Sequence, residues 1–204
     1  MNIWGIGRNF AEHARELGNQ APSDPIVFLK AGNCLELGSE IKIPSCAEDL
    51  HFEGEIALEF SHEPQNDWCF SKAYLALDLT DRKIQSHLKD RGLPWTLAKS
   101  FPRSCPRSKD AVPVSSLEEF MSFRFDLRLN GVLKQEGNPE LMIFNPLRLS
   151  EFFTHRLPAQ KGDLLLTGTP QGVGPIQPQD HLSMKLYAAS KGQVPLISAE
   201  WKFV

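Results

Sequence analysis

The chain has 204 residues, and its 22 Lys and Arg against 25 Asp and Glu leave a formal net charge of −3. Hydrophobic residues make up 41% and charged residues 23%, which is typical of a globular protein and excludes disorder for most of the chain. The weak negative charge argues against nucleic acid as the main partner, because phosphate binding requires a basic surface. No apolar run approaches the roughly 18 residues of a membrane span, so no membrane partner is expected.

The cysteines indicate a reducing compartment. Cys34, Cys46, Cys69 and Cys105 are scattered and form no Cys-x-x-Cys pair. That spacing suits isolated reduced thiols better than a zinc site or a disulfide framework. The first residues also lack the basic leader and apolar run of a signal peptide, so we predict a cytoplasmic protein.

Strand signals outnumber helix signals along the chain. In chain order, the patterns predict a strand at 4–7, a helix at 9–17, strands at 52–60 and 73–79, a helix at 80–91, a helix after the capping box Ser116-x-x-Glu119, a strand at 123–129, a hairpin turn at Asn130-Gly131, a helix at 146–155, and strands at 163–167, 181–186 and 196–203. Thr80 is a candidate N-cap of the helix at 80–91, and Gly92 is its candidate stop. Many strands, few short helices and no linker predict one α+β domain over residues 1–204.

Two acidic residues stand two positions apart in His51-Phe52-Glu53-Gly54-Glu55. The two-residue period of a strand places Glu53 and Glu55 on one face, which Glu59 shares. Two carboxylates at this spacing can bind a hard divalent cation such as Mg²⁺. The alternative is a solvated face of an antiparallel strand that binds nothing.

A third carboxylate, Asp78, stands near the end of the apolar strand predicted at 73–79 and leads into the next helix. This position suits a third metal ligand. The alternative is that Asp78 or Thr80 only caps the helix.

His13 and Glu16 are three positions apart in the helix predicted at 9–17, so they share one of its faces. A carboxylate beside an imidazole fixes the tautomer and raises the basicity of the ring, which makes this pair a candidate general base for water. An ordinary surface His–Glu pair is the alternative.

The segment 167–174 reads Thr-Gly-Thr-Pro-Gln-Gly-Val-Gly and lets backbone N–H groups approach a ligand closely. It lacks the Gly-Lys-Ser/Thr ending of a phosphate loop and the spacing of a dinucleotide fingerprint. Lys99, in Leu-Ala-Lys-Ser-Phe, reads by itself as a surface lysine. No Gly-x-Ser-x-Gly elbow occurs, which argues against a serine hydrolase.

The order of these motifs is more informative than any one of them. The chain contains Gly-Arg-Asn-Phe-x-x-His-x-x-Glu from Gly7, His-x-Glu-x-Glu from His51, Leu-Asp-x-Thr-x-Arg-x-x-Gln from Leu77, Gly-Leu-Pro-Trp-Thr-Leu-Ala-Lys-Ser-Phe from Gly92, and Gly-Asp-x-x-x-Thr-Gly-Thr-Pro-x-Gly-Val-Gly-Pro from Gly162. In this order the motifs resemble the fumarylacetoacetate hydrolase family. The run at 92–101, with Met142-Ile143-Phe144, is most similar to the acylpyruvase and oxaloacetate decarboxylase branch.

The resemblance implies a metal site, a base and a substrate site. The residues implied are the Mg²⁺ or Mn²⁺ ligands Glu53, Glu55 and Asp78, the water-activating pair His13 and Glu16 on a lid, and the substrate-binding residues Arg8, Gln85, Lys99 and Thr169, of which Lys99 is also catalytic. The resemblance further implies a mixed β-sheet rolled into a barrel-like structure, and a homodimer.

Several positions depart from the family pattern. Leu77 replaces a frequent Asn, Asp81 a small residue, and Lys83 and Pro102 each an Asp. None of these changes removes a proposed ligand or base. Asp81 and Lys83 leave the role of Arg82 open.

These residue types suit a small 2-oxo acid as the substrate. A divalent cation would act as a Lewis acid on its carboxylate and ketone oxygens, and the metal and Lys99 would stabilise the pyruvate enolate left by C–C cleavage. The leading hypothesis is a hydrolase of acylpyruvates such as fumarylpyruvate, or an oxaloacetate decarboxylase.

The alternatives are an isomerase of 2-oxo acids (of the 2-hydroxyhepta-2,4-diene-1,7-dioate type, or an oxaloacetate tautomerase) and a metal-binding domain without turnover. The His13–Glu16 pair argues against the last.

Overall fold

The computed structural model of the chain describes residues 1–16, 22–65 and 68–204, apart from the side chains of residues 13, 14 and 62–65. Its strands are β1 (Ile3–Gly7), β2 (Ile26–Lys30), β3 (Leu35–Glu36), β4 (Glu40–Ile41), β5 (Leu50–Phe52), β6 (Gly54–Gln65), β7 (Trp68–Leu77), β8 (Thr80–Asp81), β9 (Cys105–Pro106), β10 (Val112–Pro113), β11 (Phe123–Leu129), β12 (Val132–Gly137), β13 (Leu164–Leu166), β14 (Gly174–Pro175), β15 (His181–Ala188) and β16 (Ile197–Phe203). Its α-helices are α1 (Ala11–Glu16), α2 (Arg82–Asp90), α3 (Thr96–Lys99), α4 (Leu117–Met121) and α5 (Pro146–Arg156).

The strands form two large mixed sheets and two small sheets, of which one is antiparallel and the other a parallel pair. The larger sheets have the strand orders β10-β7-β6-β13-β1-β2 and β12-β11-β15-β16-β4, and the smaller ones β14-β5-β8 and β3-β9. Most pairs are antiparallel, whereas β1–β13, β16–β4 and β3–β9 are parallel. Mixed sheets with few short helices confirm the α+β prediction. The strand orders of the described residues are open, so the barrel-like closure stays a prediction.

The two large sheets share one apolar core. Residues of the first sheet, such as Ile56 and Leu75, belong to the same buried cluster as Phe125, Leu182 and Trp201 of the second. In β11 the alternation predicted from the sequence is observed, because its aromatic and leucine side chains point inward. Within the described part of the chain, no helix is both long and apolar enough to span a membrane.

Turn and cap chemistry explains where several elements end. Asn130 and Gly131 have φ angles of 50° and 81°, which confirms the tight hairpin between β11 and β12. Ser116 accepts a hydrogen bond from the Glu119 N–H and caps α4. Gly92, with φ of 64°, follows α2 as its stop.

Other boundaries differ from the predictions. Thr80 is not the N-cap of α2; Asp81 is, because its Oδ1 accepts the N–H of Ile84 at 3.1 Å. The strand predicted at 52–60 is interrupted at Glu53, between β5 and β6. The helix predicted at 9–17 spans Ala11–Glu16, and residue 17 lies outside the described residues. Strand β2 and helix α3 were not predicted.

Asp163 connects the start of β1 to the segment before β13. Its carboxylate accepts the Asn2 backbone N–H at 2.6 Å, the Trp4 indole N–H at 3.1 Å and the Gln160 N–H at 3.2 Å. Burial raises the pKa of Asp163, but these donors outweigh it and leave the pKa below its ordinary value. Both Asp163 and Trp4 are buried, so water cannot replace the lost bonds.

We therefore expect Asp163→Ala to lower the free energy of unfolding by about 1–3 kcal/mol, because it leaves buried donors without an acceptor. Urea unfolding followed by Trp fluorescence measures the change. Asp110→Ala, at an exposed position, is the control and should shift the value by less than about 0.5 kcal/mol. Equal effects of the two substitutions would contradict an anchoring role.

Candidate active site

Strand pairing brings three acidic residues together from two distant parts of the sequence. In the antiparallel β6–β7 pair, Glu55 lies opposite Ala76, and just beyond the pair the Asp78 N–H donates to the Glu53 carbonyl at 2.9 Å. One carboxylate oxygen from each of Glu53, Glu55 and Asp78 lies within 4.8 Å of the other two. The predicted ligand set is therefore a real cluster. We call it the acidic triad.

The acidic triad is buried, so the alternative of a solvated strand face is wrong for two of its members. Glu53 is 5% exposed and Glu55 is 1% exposed. Glu59, predicted on the same face, lies apart from them and accepts hydrogen bonds from Lys72 at 2.9 Å and the Tyr74 hydroxyl at 2.8 Å. Of the three acidic residues predicted on this face, only Glu53 and Glu55 therefore belong to the site.

Lys99 is the first of three cations that balance the acidic triad. Its ammonium donates to Glu53 Oε2 at 2.9 Å, to Thr80 Oγ1 at 2.7 Å and to Asp78 Oδ2. The side chain is buried, and Lys99 as a surface lysine is therefore wrong. Burial lowers its pKa, but the charges of Asp78 and Glu53 outweigh burial and raise the pKa above its ordinary value.

Lys30 is the second cation, and the sequence analysis missed it. Its ammonium lies 2.7 Å from Asp78 Oδ1 and donates to the carbonyls of Leu79 at 3.0 Å, Ser104 at 2.9 Å and Lys99. The side chain is fully buried at the end of β2. One sequence signal could have identified Lys30. It stands at the end of an apolar run, as Asp78 does.

Arg82 is the third cation. Its Nη2 donates to Glu53 Oε1 at 2.5 Å and its Nη1 to Gln85 Oε1 at 2.7 Å. The neighbours that made its role uncertain point elsewhere, since Asp81 caps α2 and Lys83 pairs with Glu48. Arg82 therefore contacts a triad carboxylate and the Gln85 amide at once.

The donor set of the acidic triad fits a hard divalent cation. Burial, followed by the charges of Asp78 and Glu53, raises the pKa of Glu55 well above its ordinary value. Asp78 Oδ1 receives no hydrogen bond from the described residues, because Lys30 directs its protons to three carbonyls. Carboxylate oxygens are the ligands that Mg²⁺ and Mn²⁺ prefer, and an ion here would stabilise the ionised acids.

The glycine-rich segment closes one side of the site. Gly168 donates its N–H to Glu55 Oε2 at 2.6 Å with a φ of 102°, and a Cβ there would lie 2.7 Å from the Cβ of Asn9. Thr169 is buried, and its hydroxyl accepts a hydrogen bond from Gln135 Nε2 at 2.8 Å. The sequence analysis assigned no site role to Asn9 or Gln135.

Asn9 and Gln135 fasten this segment to its surroundings. The Asn9 amide donates to the carbonyls of Phe144 at 2.9 Å and Thr167 at 2.8 Å. Gln135 accepts the Gly54 N–H at 2.9 Å while it donates to Thr169. Both side chains are buried and act through the residues they position.

The predicted base lies in α1. The carboxylate of Glu16 accepts the Gly172 N–H at 3.2 Å, which places it against the glycine-rich segment. The side chain of His13 lies outside the described residues, so the His13–Glu16 pair stays a prediction.

The predicted substrate residues converge on one cleft beside the acidic triad. Its lining includes Arg8, Gln85, Lys99 and Thr169 together with Glu53, Glu55, Arg82, Lys89 and Trp95. Arg8 has a φ of 60°, a costly conformation for a non-glycine residue, and its guanidinium lies 6.0 Å from the Trp95 ring centroid. Carboxylates, cations and the glycine-rich segment therefore surround one cleft, the usual form of a small-molecule site.

Comparison with known proteins agrees with this geometry. The family model described as fumarylacetoacetate (FAA) hydrolase C-terminal matches residues 2–197. The mitochondrial oxaloacetate tautomerase FAHD1 of Bos taurus is 37% identical over 194 residues, which cover 91% of this chain and 87% of that protein. The mitochondrial oxaloacetate decarboxylase of Dictyostelium discoideum is 36% identical over 184 residues, which cover 86% and 84%.

A solved structure extends the similarity to the fold. A protein from Oleispira antarctica with the provisional name fumarylacetoacetate isomerase/hydrolase superposes with a TM-score of 0.90 at 34% identity. The match covers 100% of this chain and 93% of that one. The chain therefore belongs to the fumarylacetoacetate hydrolase family.

Proposed function

We propose that the chain is a divalent-metal-dependent enzyme that cleaves small 2-oxo acids and releases pyruvate, either from acylpyruvates or from oxaloacetate. The observation that carries this proposal is the buried acidic triad, of which Glu53 and Glu55 line a cleft. The same cleft is lined by the predicted substrate residues Arg8, Gln85, Lys99 and Thr169. The similarity to a relative named oxaloacetate decarboxylase supports the substrate class.

The acidic triad would hold Mg²⁺ or Mn²⁺. When bound, the ion supplies Lewis-acid polarisation of the carboxylate and ketone oxygens of a 2-oxo acid. Lys99, Lys30 and Arg82 hold the carboxylates of Asp78 and Glu53. The Gly168 N–H holds that of Glu55, so the ligand set is preorganised. Burial also excludes the water that would otherwise screen these charges.

Lys99 would contribute a fixed positive charge beside the reacting atoms. Its three N–H donors go to Glu53, Thr80 and Asp78, which fixes the ammonium in one place. A preorganised charge of this kind stabilises negative charge as it develops on the substrate oxygen. Because the nitrogen of the Lys99 ammonium has no free electron pair, a proton acceptor for water has to come from another residue.

His13 is the residue we propose for that step, with Glu16 as its orienting partner. In acylpyruvate hydrolysis, His13 would take a proton from water, and the water would attack the distal carbonyl. The contact of Glu16 with Gly172 supports a position of α1 over the cleft. Oxaloacetate decarboxylation would use the same cleft without an attacking water.

A tautomerase of oxaloacetate is the second candidate, and the identity to the Bos taurus oxaloacetate tautomerase favours it. The same site serves both reactions, because an enolate stabilised there can be reprotonated as well as released. Tautomerisation requires a proton donor and acceptor but breaks no C–C bond.

The oligomeric state and the cellular compartment of the protein are also proposals. A homodimer is proposed from the family resemblance. The two relatives compared above are mitochondrial by name, so they do not support the cytoplasmic prediction made from the sequence.

The acidic triad can be tested by metal binding without turnover. We expect Glu53→Gln to abolish Mn²⁺ binding in calorimetry, because an amide replaces one charged ligand. Glu59→Gln makes the same chemical change outside the triad and should leave binding intact. Unchanged binding in Glu53→Gln would remove Glu53 from the ligand set.

Product analysis separates the two candidate reactions. Acetylpyruvate, fumarylpyruvate and oxaloacetate are incubated with the protein, with Mg²⁺ or with EDTA, and pyruvate is quantified. Pyruvate release that depends on Mg²⁺ is expected. A change in ultraviolet absorbance of oxaloacetate without any pyruvate would instead identify the tautomerase.

Substitution of His13 separates the base from the metal site. We expect His13→Ala to lower kcat/KM for acylpyruvate hydrolysis by about 10²–10⁴-fold, the usual contribution of general-base catalysis. Oxaloacetate decarboxylation should fall less, and Mn²⁺ binding should not change. Full hydrolysis would place the base elsewhere, and equal losses in both reactions would indicate a role in lid closure.

A further inference from the structure

One face of helix α2 points into the cleft. Arg82, Gln85 and Lys89 occupy positions i, i+3 and i+7 of this helix, a spacing that places side chains on one face. All three line the cleft together with Glu53 and Glu55. The family motif contains the first two of these helical residues, whereas Lys89 lies beyond it.

The cations that line the cleft differ in their hydrogen-bond and ion-pair partners. Arg82 uses its guanidinium on Glu53 and Gln85. None of the ion pairs between described residues involves Arg8 or Lys89. Two cations without an ion-pair partner among the described residues therefore line the same cleft.

These two cations also repel each other. Lys89 is partly buried, and burial followed by the charges of Arg8 and Arg82 lowers its pKa. The charge of Asp90 opposes this effect and is outweighed. A group of like charges in a partly desolvated cleft is stabilised by an anion placed between them.

A larger outer cavity begins where these cations stand. It has a volume of about 790 Å³ and shares Arg8, Phe28, Lys89 and Trp95 with the inner cleft. Its remaining lining is mainly apolar and includes Ile26, Val27 and Leu93. A ligand that extends from the inner cleft into this cavity meets Arg8 and Lys89, which line both.

We propose that Lys89, together with Arg8, binds a second carboxylate at the distal end of the substrate, so that the site selects 2-oxo acids with two carboxylates. The inference rests on the proposed function, which places the first carboxylate and the ketone oxygen at the acidic triad. Lys89 is then a specificity-determining residue that contacts the substrate away from the reacting bond.

The test uses binding, so it does not depend on turnover. Calorimetry in the presence of Mg²⁺ compares 2-oxoglutarate with 2-oxopentanoate, and 2-oxoadipate with 2-oxohexanoate. Each pair has the same carbon number and differs in the distal carboxylate. The unmodified chain is expected to prefer the diacid, and Lys89→Met is expected to reduce that preference by about 10- to 100-fold, the usual contribution of a hydrogen bond between charged groups.

Two control variants test the position of the lost charge and the charge itself. Lys83→Met removes the same charge from the same helix, but Lys83 is exposed and pairs with Glu48 outside the cleft, so the preference should persist. Lys89→Arg keeps the charge and should keep the preference. Equal weakening of diacid and monoacid binding in Lys89→Met would indicate a structural role and overturn the proposal.

An unmodified chain that binds the diacid and the monoacid equally, or a preference that survives Lys89→Met, would also overturn it. A wrong assignment of the reaction would give a different experimental result. If the preference exists and is lost in Lys89→Met while neither pyruvate nor a tautomer forms from any substrate, diacid recognition stands and the assigned reaction is wrong.

Discussion

Asp78 lies between two buried lysines, and the rest of the site is arranged around this contact. Lys30 approaches one carboxylate oxygen and Lys99 the other. Burying a carboxylate is costly unless a cation compensates it, and here two further carboxylates lie within 4.8 Å. Arg82 supplies the third positive charge through Glu53. The cluster thus brings three acids and three cations into a region from which water is largely excluded.

The sheets determine where these charges stand. Pairing of β6 with β7 places the Glu53–Glu55 segment beside Asp78, and β2 carries Lys30 to the edge of the same sheet. On the opposite side, the glycine-rich segment follows β13 and is held by Gln135 of β12. Because β12 belongs to the second large sheet, the site lies where the two sheets meet. Its geometry therefore depends on packing between the sheets and not on one loop.

The sequence predicts those features that depend on local chemistry. The Ser116 cap, the Asn130-Gly131 turn and the inward face of β11 follow from neighbouring residues and are observed. The local pattern of Glu53 and Glu55 allowed both a metal site and a solvated face, because burial is decided by partners distant in the sequence. Lys30 shows the same limit, since lysine is almost never fully buried unless it is paired. The order of motifs recovered the acidic triad because it records such long-range constraints, whereas it contained no information on Lys30.

In the proposed function, reactivity and substrate choice would use separate parts of the site. Glu53 and Asp78 form one ion-pair network with Lys30, Lys99 and Arg82, and Glu55 is held beside it by the Gly168 N–H. Lys89 stands outside that network, one helical turn beyond Gln85, where the inner cleft opens into the apolar outer cavity. A substitution at this position changes the charge that a ligand meets on entry without removing a partner from Glu53 or Asp78. Under the proposed function, the last turn of α2 is therefore the place where the choice of 2-oxo acid can change while the acidic triad stays intact.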